Sequence, residues 1–335
     1  MTTRTRYFVI ASLLVTGVGL STGLVAYYVG FSAGAFTRTG GPEELEYVPR
    51  DAAFIAFANV QEVMTSELRQ KLRHAVPPAE NGQQELQNHT GINIETDIDR
   101  VVACLYPDPA NTKGGSGMVL ARGRFDETRI ESLMREHGAQ VQDYNGKRLI
   151  VADVPSKGTQ FAAAFMEPGL VALGSASVVK MAIDLHQAGN NPQAGVQSVT
   201  GNDELMNQVR ALDSGNAWAV GRFDVLTSRA RLPENVASQL PAITWFSVST
   251  HINGGLRGVL RAETRDDEAG NALRDVVRGF LALGKLQSGS HPEIQAMMQS
   301  LELGGTGKTV ALSFDVPAAV FDMISGMTKG QIQQH

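Results

Sequence analysis

Residues 7–30 (YFVIASLLVTGVGLSTGLVAYYVG) run for 24 positions without a charge. At about 1.5 Å per residue a helix of this length crosses a hydrocarbon core of about 30 Å with some tilt. Few alternatives exist for such a stretch, because bare backbone in lipid must satisfy its own hydrogen bonds. Arg4 and Arg6 precede it, which places the N-terminus in the cytoplasm and the rest of the chain outside the cytoplasmic membrane. Ala33-Gly34-Ala35 offers a small-x-small cleavage site, so a secreted protein released after Ala35 is the alternative. A secretory apolar core is usually only about 7–15 residues, however, and the length favours an uncleaved anchor.

Inside this segment Gly19, Gly23, Ala26 and Gly30 fall on one helical stripe. Small residues at such spacing let a second helix approach closely. The stripe is therefore the expected contact for a partner transmembrane helix or for self-association.

The remaining chain suits a folded body, with hydrophobic content of 43% and charged content of 19% overall. Net charge is −5, and the part beyond Arg4 and Arg6 is more acidic still. No concentrated basic face is visible, which argues against nucleic acid. Cys104 is the single cysteine, so an intramolecular disulfide is excluded; its apolar setting (VVACLY) reads as a buried thiol.

The pattern of elements predicts an α+β chain organised as an anchor over 1–35, a linker over 36–46, a first lobe over 47–188, a link over 189–201 and a second lobe over 202–330. Strand-like runs at 52–60, 101–106, 118–125, 217–223, 243–252, 256–264 and 309–316 alternate with helical patterns. Asn145-Gly146 reads as a two-residue hairpin turn and Glu167-Pro168-Gly169 as a second turn. Residues 92–98 alternate isoleucine with acids and read as an extended lead-in. Helices are expected at 61–75, 126–138, 175–187, 203–212, near 233–240, from 266 to about 286, at 292–301 and at 317–327. Each lobe reads strand, helix, strand, strand, helix, strand, the order of a split βαβ, ferredoxin-like unit. A duplication follows from that reading, with extra hairpins and helices on each copy.

Gly-Arg-Phe-Asp occurs at 123–126 and again at 221–224, each at a strand end. Arg122, Arg124, Asp126, Arg222 and Asp224 are consequently the polar groups to inspect for a site, with helix caps and surface ion pairs as the plainer account. Other motifs lack their required context. Gly30-Phe-Ser32-Ala-Gly34 imitates a nucleophile elbow without strand, helix or partners. The loop 304–309 imitates a phosphate loop but leads into a strand. Glu95, Asp97 and Asp99 lack the glycine and bidentate glutamate of a calcium loop. The seven histidines show no metal-ligand spacing. No cofactor or metal site, and no catalytic constellation, is expected.

The segments YVPRDAAFIAFANV, TGINIETDIDRVV, NGKRLIV and MEPGLVALGS resemble those of bacterial membrane-anchored proteins of uncharacterised activity with duplicated α+β ectodomains. The resemblance runs from about Tyr47 to the C-terminus and implies location and architecture, with no activity or catalytic residue carried over. The sequence thus leads to the expectation of a non-enzymatic envelope protein, a binding module or accessory subunit of a membrane complex. The contrasting expectation is an enzyme or small-ligand binder with a cleft between the lobes.

Overall fold

The computed structural model describes residues 41–69, 91–107, 116–154, 159–189, 195–213, 215–225, 241–287, 292–317 and 319–320. The uncharged segment 7–30 with its glycine stripe lies outside the described residues. So do the helical stretch expected at 233–240 and most of the one at 317–327. Among the described residues no helix is long and apolar enough to cross a membrane. The fold is α+β and built on antiparallel sheet. Two compact units divide the chain. One holds residues 41–62 and 91–211, the other 63–69 and 212–320.

The first unit contains strands β1 (Phe54–Asn59), β2 (Ile98–Tyr106), β3 (Ser116–Gly123), β4 (Gln140–Tyr144), β5 (Lys147–Val154), β6 (Thr159–Glu167) and β7 (Leu170–Ser175). Their spatial order is β1-β2-β3-β7-β6-β5-β4, and every neighbouring pair is antiparallel. The expected hairpin turn forms with Asn145 at φ 51° and Gly146 at φ 73°, the left-handed pair that matches strand twist. Gly169, at φ 77° after Pro168, closes the β6–β7 turn.

Helices of this unit are α2 (Ile94–Asp97), α3 (Glu127–Glu136), α4 (Ala176–Ala188) and α5 (Asp203–Arg210), while α1 (Val60–Thr65) follows β1 at the unit boundary. Strands β6 and β7 present Ala162, Ala164 and Ala172 on one face, all fully buried. These small side chains let α4 lie close, and Val178, Val179, Ala182 and Ile183 are fully buried in turn. Burial of each larger side chain contributes about 1.5–3 kcal/mol. The 3.6-residue spacing of these positions is what made the helix readable.

The second unit contains β8 (Ala217–Arg222), β9 (Ile243–Ile252), β10 (Gly255–Thr264), α6 (Asp267–Gln287), α7 (Pro292–Ser300), β11 (Glu302–Gly304) and β12 (Thr309–Pro317). The order here is β11-β12-β10-β9-β8, again antiparallel throughout. Loop 304–309 is a turn before the last strand, as its plainer reading held.

Two expectations change, and a third element gains a partner. Strand neighbours follow the chain as β1-β2-β3 and β8-β9-β10, so neither unit has the interleaved order of a ferredoxin-like sheet. Antiparallel neighbours need only short connections, whereas the interleaved order needs crossovers, and element order by itself does not distinguish them. Residues 94–97 form a helical turn in place of an extended lead-in. Asn93 Oδ1 accepts the Glu95 amide at 2.9 Å and Asp97 Oδ2 accepts the Asn93 amide at 2.8 Å, a reciprocal cap. Residues 197–199, within the expected link 189–201, are stitched to the strand entry. The Arg50 amide donates to Gln197 O at 2.9 Å and the Val199 amide to Val48 O at 2.8 Å, so α5 packs with the first unit.

Candidate functional site

The chain enters the first unit through a 3-10 turn, Glu43–Tyr47, that follows Pro42. Its tight repeat turns Glu44 and Leu45 inward while Glu43 and Glu46 stay exposed. Glu44 is the unusual residue, a carboxylate with 0% of its surface exposed. An isolated charge there would be prohibitive, so partners must compensate it.

Those partners come from the sheet. Arg100 on β2 and Arg122 on β3 lie directly opposite one another in the strand register. Like charges in that position repel. Glu44 Oε1 sits against both, accepting Arg100 Nε at 2.8 Å and Arg122 Nε. Arg122 Nη2 also donates to Glu167 Oε1 at 2.7 Å, at the end of β6. Tyr47 donates its hydroxyl to Glu167, and its ring stacks on His186 of α4 with centroids 5.6 Å apart. Lys147 Nζ closes this side by donating to Met166 O at 2.6 Å.

Electrostatics follow from these contacts. Burial opposes the Arg122 charge, but its hydrogen bonds to Glu44 and Glu167 outweigh that and hold its pKa above the ordinary value. The Arg122 hydrogen bond holds Glu167 below the usual carboxylate range, against a cost of desolvation. Burial, and then the Glu167 charge, push Tyr47 up to about 12. Burial, and then Lys147, lower the His186 pKa, which keeps the ring neutral at physiological pH. Glu44 Oε2 is buried and finds no hydrogen-bond partner among the described residues, a cost of about 1–3 kcal/mol. The Glu44 carboxylate is committed to two guanidiniums, and guanidiniums so committed are weak anion receptors. What the arrangement does well is fasten the entry turn to the sheet.

Of the residues singled out from sequence, only Arg122 joins this cluster. Arg124 bonds Thr96 O and lies 3.4 Å from Asp97, tying α2 to the strand end while remaining 69% exposed. Asp126 caps α3, accepting the Arg129 amide at 3.0 Å. Arg222 and Asp224, in the other unit, pair with each other at 2.6 Å with both side chains more than half exposed. The two Gly-Arg-Phe-Asp copies thus share letters but not bonding. Glu44, Arg100, Glu167, Tyr47 and His186 were missed; the available signal was an arginine in each of two strands that are mostly apolar.

Each unit also carries an open groove. One of about 270 Å³ lies beside Pro49, Tyr106, Met181 and Leu185. The other, about 420 Å³, lies at the β9–β10 turn beside His251, Arg257 and Asp315. Cys104 is buried and its thiol is pushed up to about 12 by burial, which makes it unreactive. Among the described residues no cluster of three His, Cys, Asp or Glu is placed to hold a metal ion.

No protein-family profile matches the chain, and no curated protein sequence matches it. Among solved structures, crystal form I of TP0453 is similar with a TM-score of 0.49 and 8% sequence identity, over 86% of this chain and 98% of that one.

Proposed function

We propose that this chain is a non-enzymatic envelope protein, anchored by residues 7–30 with its N-terminus in the cytoplasm and its body outside the membrane. It acts through its surface, as a binding module or accessory subunit of a membrane complex. The observation that carries the reading is the use made of the most buried charge. Glu44, Arg100 and Arg122 spend their interactions on one another and on fixing the entry turn, immediately beyond the segment that would emerge from the bilayer. The resemblance to membrane-anchored proteins with α+β ectodomains points the same way. In each unit three antiparallel strands that are neighbours in chain order, β1-β2-β3 and β8-β9-β10, precede a helix, α3 and α6, which fits a duplication. Within the anchor, Gly19, Gly23, Ala26 and Gly30 form the face for a partner helix or a second copy.

Intact mass of the native protein with membrane fractionation tests the anchor. Full-length mass in the membrane fraction is expected, and a soluble species beginning near Phe36 refutes it. Purification in mild detergent tests the partner, with Gly23→Leu expected to abolish a co-purifying species or a self-associated form. A strictly monomeric, partner-free protein refutes the complex.

A further inference from the structure

The sheet of the first unit ends at β4. Its neighbour β5 follows the two-residue turn at Asn145-Gly146, so Tyr144 and Lys147 exchange both ladder bonds and the pattern alternates from there. Gln140, Gln142 and Tyr144 therefore bond to β5, while the N–H and C=O groups of Val141 and Asp143 point away from the sheet. No described residue reaches these four groups. Met134 of α3 packs on Ile150 and Ala163, and α4 packs on β6 and β7, so both helices lie inboard of the edge. Natural sheet edges are blunted by lysine, proline or a bulge. β4 has none of these: it reads Gln-Val-Gln-Asp-Tyr, its register runs without a shift, and Gln140, Gln142 and Asp143 are exposed.

We propose that β4 pairs antiparallel with β4 of a second copy, about a two-fold axis at Gln142, so that the sheet runs on from one chain into the next. The edge selects both the partner and the register. With the axis at Gln142, Val141 of each copy lies opposite Asp143 of the other, and every outward group of both strands finds a partner. Gln142 then meets its own counterpart, amide against amide, and no like charges face each other. An axis at Asp143 sets two carboxylates directly opposite, which is destabilising. It also calls on Asn145 O, which already accepts Gln187 Nε2 at 2.8 Å. An axis at Val141 needs the Ala139 amide, which is spent on Met134 O at 2.9 Å. The free groups of this edge are thus a self-complementary set, as an isologous contact requires. The pairing uses no residue of the anchor and stands whether or not residues 7–30 cross a bilayer. An edge of five residues falls short of the roughly 1,200 Å² of a stable interface, so the pair forms and parts, and trapping it is the way to read it.

Native Cys104 is buried, so the full chain, purified in mild detergent and given one new thiol, reports from that position alone. Gln142→Cys places the two thiols on residues whose Cα atoms stand about 4.5 Å apart, within disulfide reach. Two copies of Gln140→Cys lie about 13 Å apart along the strands. Gln142→Cys is expected to form its symmetric disulfide about tenfold faster than Gln140→Cys, because the paired strands hold its thiols at high effective concentration. Adding Asp143→Pro removes one outward amide, leaves the ladder to β5 whole, and should bring the rate down to that of Gln140→Cys. Equal rates at the two positions, or no dimer from Gln142→Cys, overturn the pairing however Asp143→Pro folds. So does dimerisation that Asp143→Pro leaves as fast as before. In native membranes, a disulfide from position 142 to a different polypeptide in place of the symmetric dimer assigns the edge to that chain and overturns self-pairing.

Discussion

Glu44→Gln removes one charge and almost no volume, so it reads the electrostatics of the entry clamp with little change in packing. The two guanidiniums it neutralises stand opposite each other on neighbouring strands. Breaking a fully buried ion pair from one side costs about 3–5 kcal/mol. Here Arg100 and Arg122 keep 27% and 22% of their side-chain surface exposed, so water recovers part of the lost interaction and about 2 kcal/mol is the expected loss. That is about a thirtyfold rise in the local opening equilibrium. Native-state hydrogen exchange reads it at three amides whose acceptors are known: Val48 to Leu45 O, Arg50 to Gln197 O and Val199 to Val48 O. The β4–β5 hairpin serves as the internal reference and should exchange as before. Adding Arg100→Gln to Glu44→Gln should recover part of the loss, because it removes one of two arginines left facing each other. Unchanged exchange at the three amides, or a double substitution costing the full sum of the singles, would refute the reasoning.

Asp126→Ala should cost about 1 kcal/mol through loss of the α3 cap, with faster exchange confined to the first turn around Arg129 and Ile130; Asp126→Asn should retain nearly all of the protection. Acid should destabilise the first unit in two stages, read as a falling Tm at constant ionic strength. His186 is lowered from 6.5, so the unfolded chain takes up that proton first and stability drops as pH falls below about 6.5. Glu167 is lowered from 4.5, so its contribution is present above that value and disappears as pH falls through the folded pKa. At the alkaline end, Tyr47 ionises near 10 when unfolded and at about 12 when folded, so stability falls between those values. Glu167→Gln should remove the second acid stage and narrow the alkaline one; an unaltered pH profile would contradict the assignment.

Local chemistry made much of the fold readable. Asn145-Gly146 encodes its turn because the left-handed conformation of both residues suits few others, and the spacing of Val178, Val179, Ala182 and Ile183 encodes α4 through its buried face. Strand order was not local. β1 and β2 pair residue by residue from Phe54 with Leu105 to Asn59 with Arg100, across a long intervening stretch. Nothing in either strand specifies a neighbour on one side rather than a crossover. Residues 94–97 were misread for a related reason. Alternating isoleucine and acid looks extended, but Asn93 and Asp97 satisfy the free amides of a helical turn, and capping outweighed the pattern.

The clamp was hidden because its members look ordinary one at a time. Pro42-Glu-Glu-Leu-Glu46 reads as a polar linker, and only its 3-10 geometry sends Glu44 and Leu45 inward together. The demand for an acid comes from Arg100 and Arg122, 56 and 78 positions further on. Their facing positions become apparent only once β2 and β3 are in register. The location of the clamp then carries mechanical meaning. On the anchored reading, a chain tethered ahead of Gly41 transmits any pull to the entry turn first. Glu44 passes that load to β2 and β3, each flanked by a paired strand on both sides. Pulling on an interior strand must break two hydrogen-bond ladders at once, whereas an edge strand peels from one. On the anchored reading, an unpartnered Glu44 oxygen is thus tolerated in a turn that cannot be drawn away from the sheet without separating two paired charges.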